Sequence, residues 1–195
     1  QQNAFIDCDL HAVYISRHIT KIASTAFSSN HHLTEVVVSE ENPVYDSRED
    51  CNAIIESATN RMLSGSVSAV IPRSVTSLSD ECFVWFNRDE LVLPAQITHI
   101  GRWSLTSIID RVYCESPVPP TFDSQDGQAY LFPPRQMGFA EPVIYVPYGS
   151  LDAYRHAEGW SFFAHRILEY PSVSVPYSLS FPLTWTNLDQ YRFTP

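Results

Sequence analysis

The side chains able to do chemistry are scattered along the chain, and few keep the spacing that chemistry needs. His31 and His32 are adjacent rather than at i and i+4, so they read as a surface turn and not as metal ligands. His156 and His165, with Asp152 and Glu158, can be drawn as a general acid–base set. No nucleophile elbow, Gly-rich phosphate loop or His-Glu-x-x-His run accompanies them, and a solvated helix surface is the better reading. Cys51 beside Asp50 has the atoms of a nucleophile, but no histidine has a motif-level claim to be its base. Asp7 with Asp9, and Asp123 with Asp126, offer carboxylates to calcium without making a recognised loop. The four cysteines, Cys8, Cys51, Cys82 and Cys114, permit three full pairings and have no close metal-type spacing. They read as free core or turn thiols. No catalytic residue, metal ligand or cofactor is assigned, and the chain is expected not to be an enzyme.

Binding chemistry is better grouped. Six short runs rich in β-branched residues recur: Val13–Ile15, Val36–Val38, Ala69–Ile71, Leu91–Leu93, Val112–Cys114 and Ile144–Val146. If each is a strand, its first and third residues point inward and its middle residue outward. The middle residues are Tyr14, Val37, Val70, Val92, Tyr113 and Tyr145, an apolar and partly aromatic row. Such a row marks a binding surface on one reading. On the other, it is a set of cross-strand ladders chosen for strand propensity.

What must position that row is a repeat. Ile71-Pro72-Arg73-Ser74-Val75-Thr76-Ser77-Leu78, ending in Cys82-Phe83, returns as Leu93-Pro94-Ala95-Gln96-Ile97-Thr98-His99-Ile100, ending in Ser104-Leu105. Ile15 to Ile22, ending in Ala26-Phe27, fits the same template with Ser16 in place of proline. A fixed period in this range signals repeats that bury their faces only against neighbours. The strands should therefore pair in parallel, with every connection crossing over. Val75, Leu78, Phe83, Ile97, Ile100 and Leu105 are expected to fill the interior beside the strand residues.

Two repeats are about ten residues longer than the rest, and extra residues of this kind map to loops. The first, about 42–66, reads as a hairpin on the side away from the sheet, with Asn52–Glu56 and Arg61–Gly65 joined through Ser57–Asn60. The second, 115–142, carries Pro117, Pro119, Pro120, Pro133, Pro134 and Pro142 and is expected to exclude regular ladders. Ser150 then N-caps a helix over Leu151–Ala157, with Gly159 at its end. Trp160, Phe162, Phe163 and Ile167 supply the bulk to close the array. Residues 1–170 form one unit on this reading, and 171–195, rich in proline and aromatics, form a tail of unassigned role.

Twelve Lys+Arg against 22 Asp+Glu give a formal charge of −10, which argues against nucleic acid and anionic membranes as partners. No apolar run approaches the roughly 20 residues of a membrane span, so no membrane insertion within this chain is expected. Without an initiating Met or a signal peptide, the sequence reads as a mature form or a piece of a longer protein.

The run Ala4-Phe5, Cys8, Leu10, Val13 and Ile15, with the Ile-Pro-x-x-Val-Thr-x-Leu copies, resembles the BspA-like leucine-rich repeats of bacterial surface proteins. So do Asn42-Pro43-Val44-Tyr45-Asp46-Ser47 leading into Cys51-Asn52-Ala53-Ile54-Ile55, and Val146-Pro147 with Gly149-Ser150, Ala153-Tyr154, Gly159-Trp160 and Phe163 as a terminal cap. The resemblance spans about residues 4–170, with Ser16 for proline, Leu105 for phenylalanine and the unmatched tail as departures. It implies an α+β repeat fold: a right-handed leucine-rich-repeat solenoid with a short-stranded parallel sheet, an inserted β-hairpin and a C-terminal helical cap. It implies a secreted or cell-surface protein, or one lipid-anchored through a preceding segment, that adheres to a protein or glycan. The alternative is a non-catalytic accessory domain of a larger surface enzyme.

Overall fold

A computed structural model describes residues 4–83, 87–106, 108–122, 124–125, 128–129, 131–132 and 142–170. The tail 171–195 and the stretch 133–141, with Pro133 and Pro134, lie outside the described residues. In chain order the strands are β1 (Ala12–Ile15), β2 (Glu35–Val38), β3 (Tyr45–Asp46), β4 (Ala53–Glu56), β5 (Arg61–Gly65), β6 (Ser77–Leu78) and β7 (Asn87–Leu93). They continue as β8 (His99–Ile100), β9 (Ile108–Cys114), β10 (Thr121–Phe122), β11 (Ser124–Gln125), β12 (Gln128–Ala129), β13 (Val143–Val146) and β14 (Ile167–Glu169). The described α-helix is α1 (Leu151–His156), and 3-10 turns lie at Arg48–Asp50 and Trp160–Arg166.

The chain shuttles between two sets of ladders. One comprises the parallel pair β1-β2 and a parallel four-stranded sheet in the order β14-β13-β9-β7. The other is a single mixed sheet, β10-β8-β6-β5-β4-β3, in which the β3-β4-β5 pairings are antiparallel and the rest parallel. The threonine of each repeat explains this second ladder. The Thr98 N–H and hydroxyl both donate to the Thr76 carbonyl, at 2.9 and 3.2 Å. Thr121 does the same to the Thr98 carbonyl, at 2.9 and 3.1 Å. Each repeat thus hands the next one acceptor that takes two donors, which fixes register as well as satisfying the backbone.

Several expectations need correction. The six segments do not make one continuous parallel row, because Ala69–Ile71 is not a strand. Ala69 and Ile71 are buried and Val70 is exposed, so the alternation survives, but the ladder does not. The Val70 N–H donates to the Cys51 carbonyl at 3.0 Å, and the Ala69 carbonyl accepts from the Arg88 guanidinium at 2.6 Å. On the facing edge of β2, the Val36 and Val38 N–H groups donate to side chains, Asn52 Oδ1 at 3.4 Å and Ser47 Oγ at 2.9 Å. The segment 47–52 therefore stands between the second and third repeats and consumes the bonds that a neighbouring strand needs.

The first long repeat makes the hairpin the sequence suggests, β4-β5, within the mixed sheet, but it is buried rather than peripheral. Its hairpin strands are buried at Ala53, Ile54, Ile55, Met62 and Leu63, and they divide two hydrophobic cores. Strand alternation turns Ile54 and Leu63 toward a smaller core with Ile15, Phe27, Leu33, Val36, Val38 and Tyr45. Ala53, Ile55 and Met62 face a larger core that runs through Phe83, Leu105 and Val112 to Trp160 and Ile167. Gly65 ends the hairpin without a Cβ because the Phe83 ring occupies that place, 2.4 Å from where the atom would sit.

The second long repeat also keeps a ladder, since β10 follows Pro119-Pro120 directly and pairs with β8, and β11 pairs with β12. Proline lacks a donor, but Thr121 and Phe122 immediately after it do not.

The cap buries Tyr154, Trp160, Phe163 and Ile167, while Phe162 is 46% exposed and adds nothing to the closure. Trp160 packs edge-on against Phe122 and Tyr154, and its Nε1 donates to the Pro120 carbonyl at 2.7 Å. Ser150 sits at the N-cap of α1 without a side-chain cap bond. The carboxylate of Glu169, from β14, accepts from the Gly149 and Leu151 N–H groups instead, at 2.8 and 3.1 Å.

Candidate binding face

The outward positions of the first set of ladders collect into two patches. In β1-β2, Tyr14 lies opposite Val37, and they are 67% and 40% exposed. In the four-stranded sheet, Val92, Tyr113 and Tyr145 are opposite one another in register, each half-buried, and Leu168 of β14 continues the line at 46% exposure. The Tyr113 and Tyr145 rings are stacked, with centroids 4.9 Å apart and planes 13° from parallel. A ring pair of this kind presents a rigid, largely apolar contact surface. Val70, 66% exposed, stands off any strand, so it is not paired in register with either patch. Leu168 escapes a sequence reading because its strand is three residues long and follows a 3-10 turn.

His156 Nδ1 lies 2.8 Å from the Asp152 carbonyl rather than its carboxylate, and Asp152, Glu158, His156 and His165 are all on the exposed surface. Burial pushes the Cys51 thiol up to about 11, so at neutral pH it holds its proton and is a poor nucleophile. Cys82 and Cys114 are raised further by the same cause, and all four cysteines are free, Cys8 alone being exposed. A cavity of about 290 Å³ on the other side of the molecule is lined by Arg61, Asp80 and His99 among others. Three of its polar groups already have partners. Arg61 pairs with Glu56 at 3.3 Å, Asp80 Oδ1 accepts from the Arg102 N–H at 2.9 Å, and His99 Nδ1 meets Thr121 Oγ1 at 3.1 Å.

Histidine does gather where the sequence shows only a turn. His32 Nδ1 lies 2.5 Å from Asp9 Oδ1, and the His11 and His32 rings stack at 5.4 Å. The hydrogen bond from His32, and then its charge, hold the Asp9 carboxyl below the usual range. Asp9 and His32 are 23 residues apart, one repeat plus an offset, so no local motif announces the group. Asp123 and Asp126 lie outside the described residues. Among the described residues, no helix is long and apolar enough to cross a membrane.

Comparison with known proteins agrees with the repeat reading. A family model described as BspA type leucine-rich repeat region matches six copies, over residues 1–59 and 54–116. No curated protein sequence matches the chain.

Proposed function

Since this chain belongs to the BspA-type leucine-rich-repeat family, whose members are typically associated with bacterial surfaces and whose repeats generally bind proteins, we propose that it is a non-enzymatic extracellular adhesion module. Its repeats stack as a right-handed solenoid over residues 1–170, with 171–195 as a separate tail. Its partner is a protein, with a glycan as the second class to test, and it is held through the two outward patches, Tyr14 with Val37 and Val92 with Tyr113 and Tyr145, with Val70 standing outside both. The observation that carries this reading is the stacked Tyr113–Tyr145 pair in line with the exposed Leu168. Aromatic rings presented on a rigid sheet supply contact area at little entropic cost, and tyrosine is enriched where such contacts dominate binding. The formal charge of −10 favours a neutral or basic partner over nucleic acid.

The test is a screen of the chain against host matrix proteins and a glycan array, with Tyr14→Ser/Tyr113→Ser/Tyr145→Ser in parallel. The triple variant is expected to keep its fold and lose at least about tenfold in affinity, as the removal of clustered aromatic contacts does. Unchanged affinity in a folded triple variant would leave the row a purely structural ladder.

A further inference from the structure

We propose that Asp9, His11 and His32 form a mononuclear site for a divalent transition-metal ion of zinc's class, bound by two imidazole nitrogens and one carboxylate oxygen. One ligand atom from each residue lies within 4.8 Å of the others, and all three side chains are exposed, so an ion reaches them without a path through the core. The donor set decides the metal class. Two imidazoles and one carboxylate suit zinc, nickel or copper, whereas calcium wants six to eight oxygens and magnesium an octahedron of them. The remaining coordination position faces solvent.

The scaffold under these ligands is rigid where it needs to be. Asn30 is fully buried, and its carboxamide braces the turn that carries Asp9. Its Oδ1 accepts from the Cys8 and Leu10 N–H groups at 3.2 and 3.0 Å. Its Nδ2 donates to the Phe5 and Phe27 carbonyls at 2.7 and 2.8 Å. The His11 carbonyl accepts from the N–H groups of Thr34 and Glu35, at 3.0 and 3.3 Å, which ties its backbone to the turn bearing His32. The backbones are thus fixed beneath three exposed side chains that already contact one another. In a tetrahedral site with bonds near 2.0 Å, neighbouring ligand atoms sit about 3.3 Å apart. The 2.5 Å contact between His32 and Asp9 must then open by less than about 1 Å as the ion replaces the shared proton. Because the ligands come from two successive repeats, the ion would staple the first to the second.

The experiment is calorimetric titration of the full 195-residue chain, free of any added histidine tag, with Zn²⁺ and separately with Ca²⁺, together with the absorption spectrum of its Co²⁺ form. One equivalent of Zn²⁺ should bind, Ca²⁺ should give no heat, and Zn²⁺ should raise the melting temperature. His11→Gln, His32→Gln and Asp9→Asn should each weaken Zn²⁺ by more than about tenfold, since even outer-shell changes cost about 10–100-fold. His18→Gln, an exposed histidine outside the cluster, should not. Circular dichroism establishes that each variant is folded. The proposal is overturned if Zn²⁺ gives no stoichiometric heat, or if folded His11→Gln and His32→Gln bind like the parent. It is also overturned if His18→Gln weakens Zn²⁺ equally, or if an intense thiolate-to-cobalt band hands the ion to Cys8.

Discussion

The two cores on either side of the hairpin are built from the same repeat template and are not built alike. In the larger, the template positions Val75 and Ile97 are sealed, and the four-stranded sheet, the second ladder and the aromatic cap enclose the interior. In the smaller, the equivalent Ile19 is 41% exposed, and among the described residues one side is covered by the two strands β1 and β2. The Ile22 N–H there donates to the Tyr45 hydroxyl at 3.0 Å rather than to a neighbouring strand. A repeat unit therefore specifies where a side chain stands, while the units flanking it decide whether it is buried.

That contrast can be broken by measurement. Phe83→Ala should cost about 3–5 kcal/mol, because its ring is sealed and Gly65 is shaped around it. Phe27→Ala, whose ring stacks at 5.6 Å on the half-exposed Phe5, should fall at or below about 3 kcal/mol. His31→Ala serves as a reference within about 0.5 kcal/mol. Denaturant midpoints give all three, and equal losses for the two phenylalanines would erase the distinction between the cores.

A sharper comparison uses neighbouring residues on one strand. Ile54→Ala and Ile55→Ala should each cost about 2–4 kcal/mol. In hydrogen exchange, the first should loosen β1 and β2 and the second β7 and β9. Identical exchange patterns would mean that the hairpin does not separate two interiors.

The smallest effect concerns the polar tie across the hairpin. The Arg48 guanidinium forks onto Asp46 at 2.7 and 2.5 Å and also reaches Asn60 at 2.8 Å and Ser74 at 3.3 Å. Burial works to raise the Asp46 carboxyl, but hydrogen bonds from Arg48 and Ser57 outweigh it and hold it below its usual value. A depressed folded value means that this stabilisation is present above the unfolded carboxylate range, near about 3.9, and is lost as the pH falls through the folded one. Asp46→Asn should cost about 1–2 kcal/mol at pH 7, discounted for partial exposure, and the gap to the parent should close toward pH 3. A gap independent of pH would assign the loss to packing.

Much of this fold was legible in the sequence because a template states its own neighbours. Val75, Leu78, Ile97 and Ile100 occupy interior positions that the copies name directly, and the two runs of the hairpin were visible between turn residues. The failures share a cause. Ser47 and Asn52 displace a strand with side-chain oxygens, which no periodicity encodes. The burial of Ile54 and Leu63 depends on what lies across from them. Tyr14, Val37, Val92, Tyr113 and Tyr145 take outward positions that follow from alternation, whereas Leu168 hides in a strand too short to signal. Asp9, His11 and His32 meet only because one repeat is laid on the next.

Families of stacked repeats change length by gaining or losing whole units, and most joints tolerate this because each unit presents the same two faces. The β4–β5 hairpin is the joint that does not. Its odd and even side chains belong to different interiors, so deleting a single residue there exchanges the two sets and ruins both at once. A change of register there is therefore felt in both interiors at once, whereas one in a strand that faces a single interior is felt on that side alone.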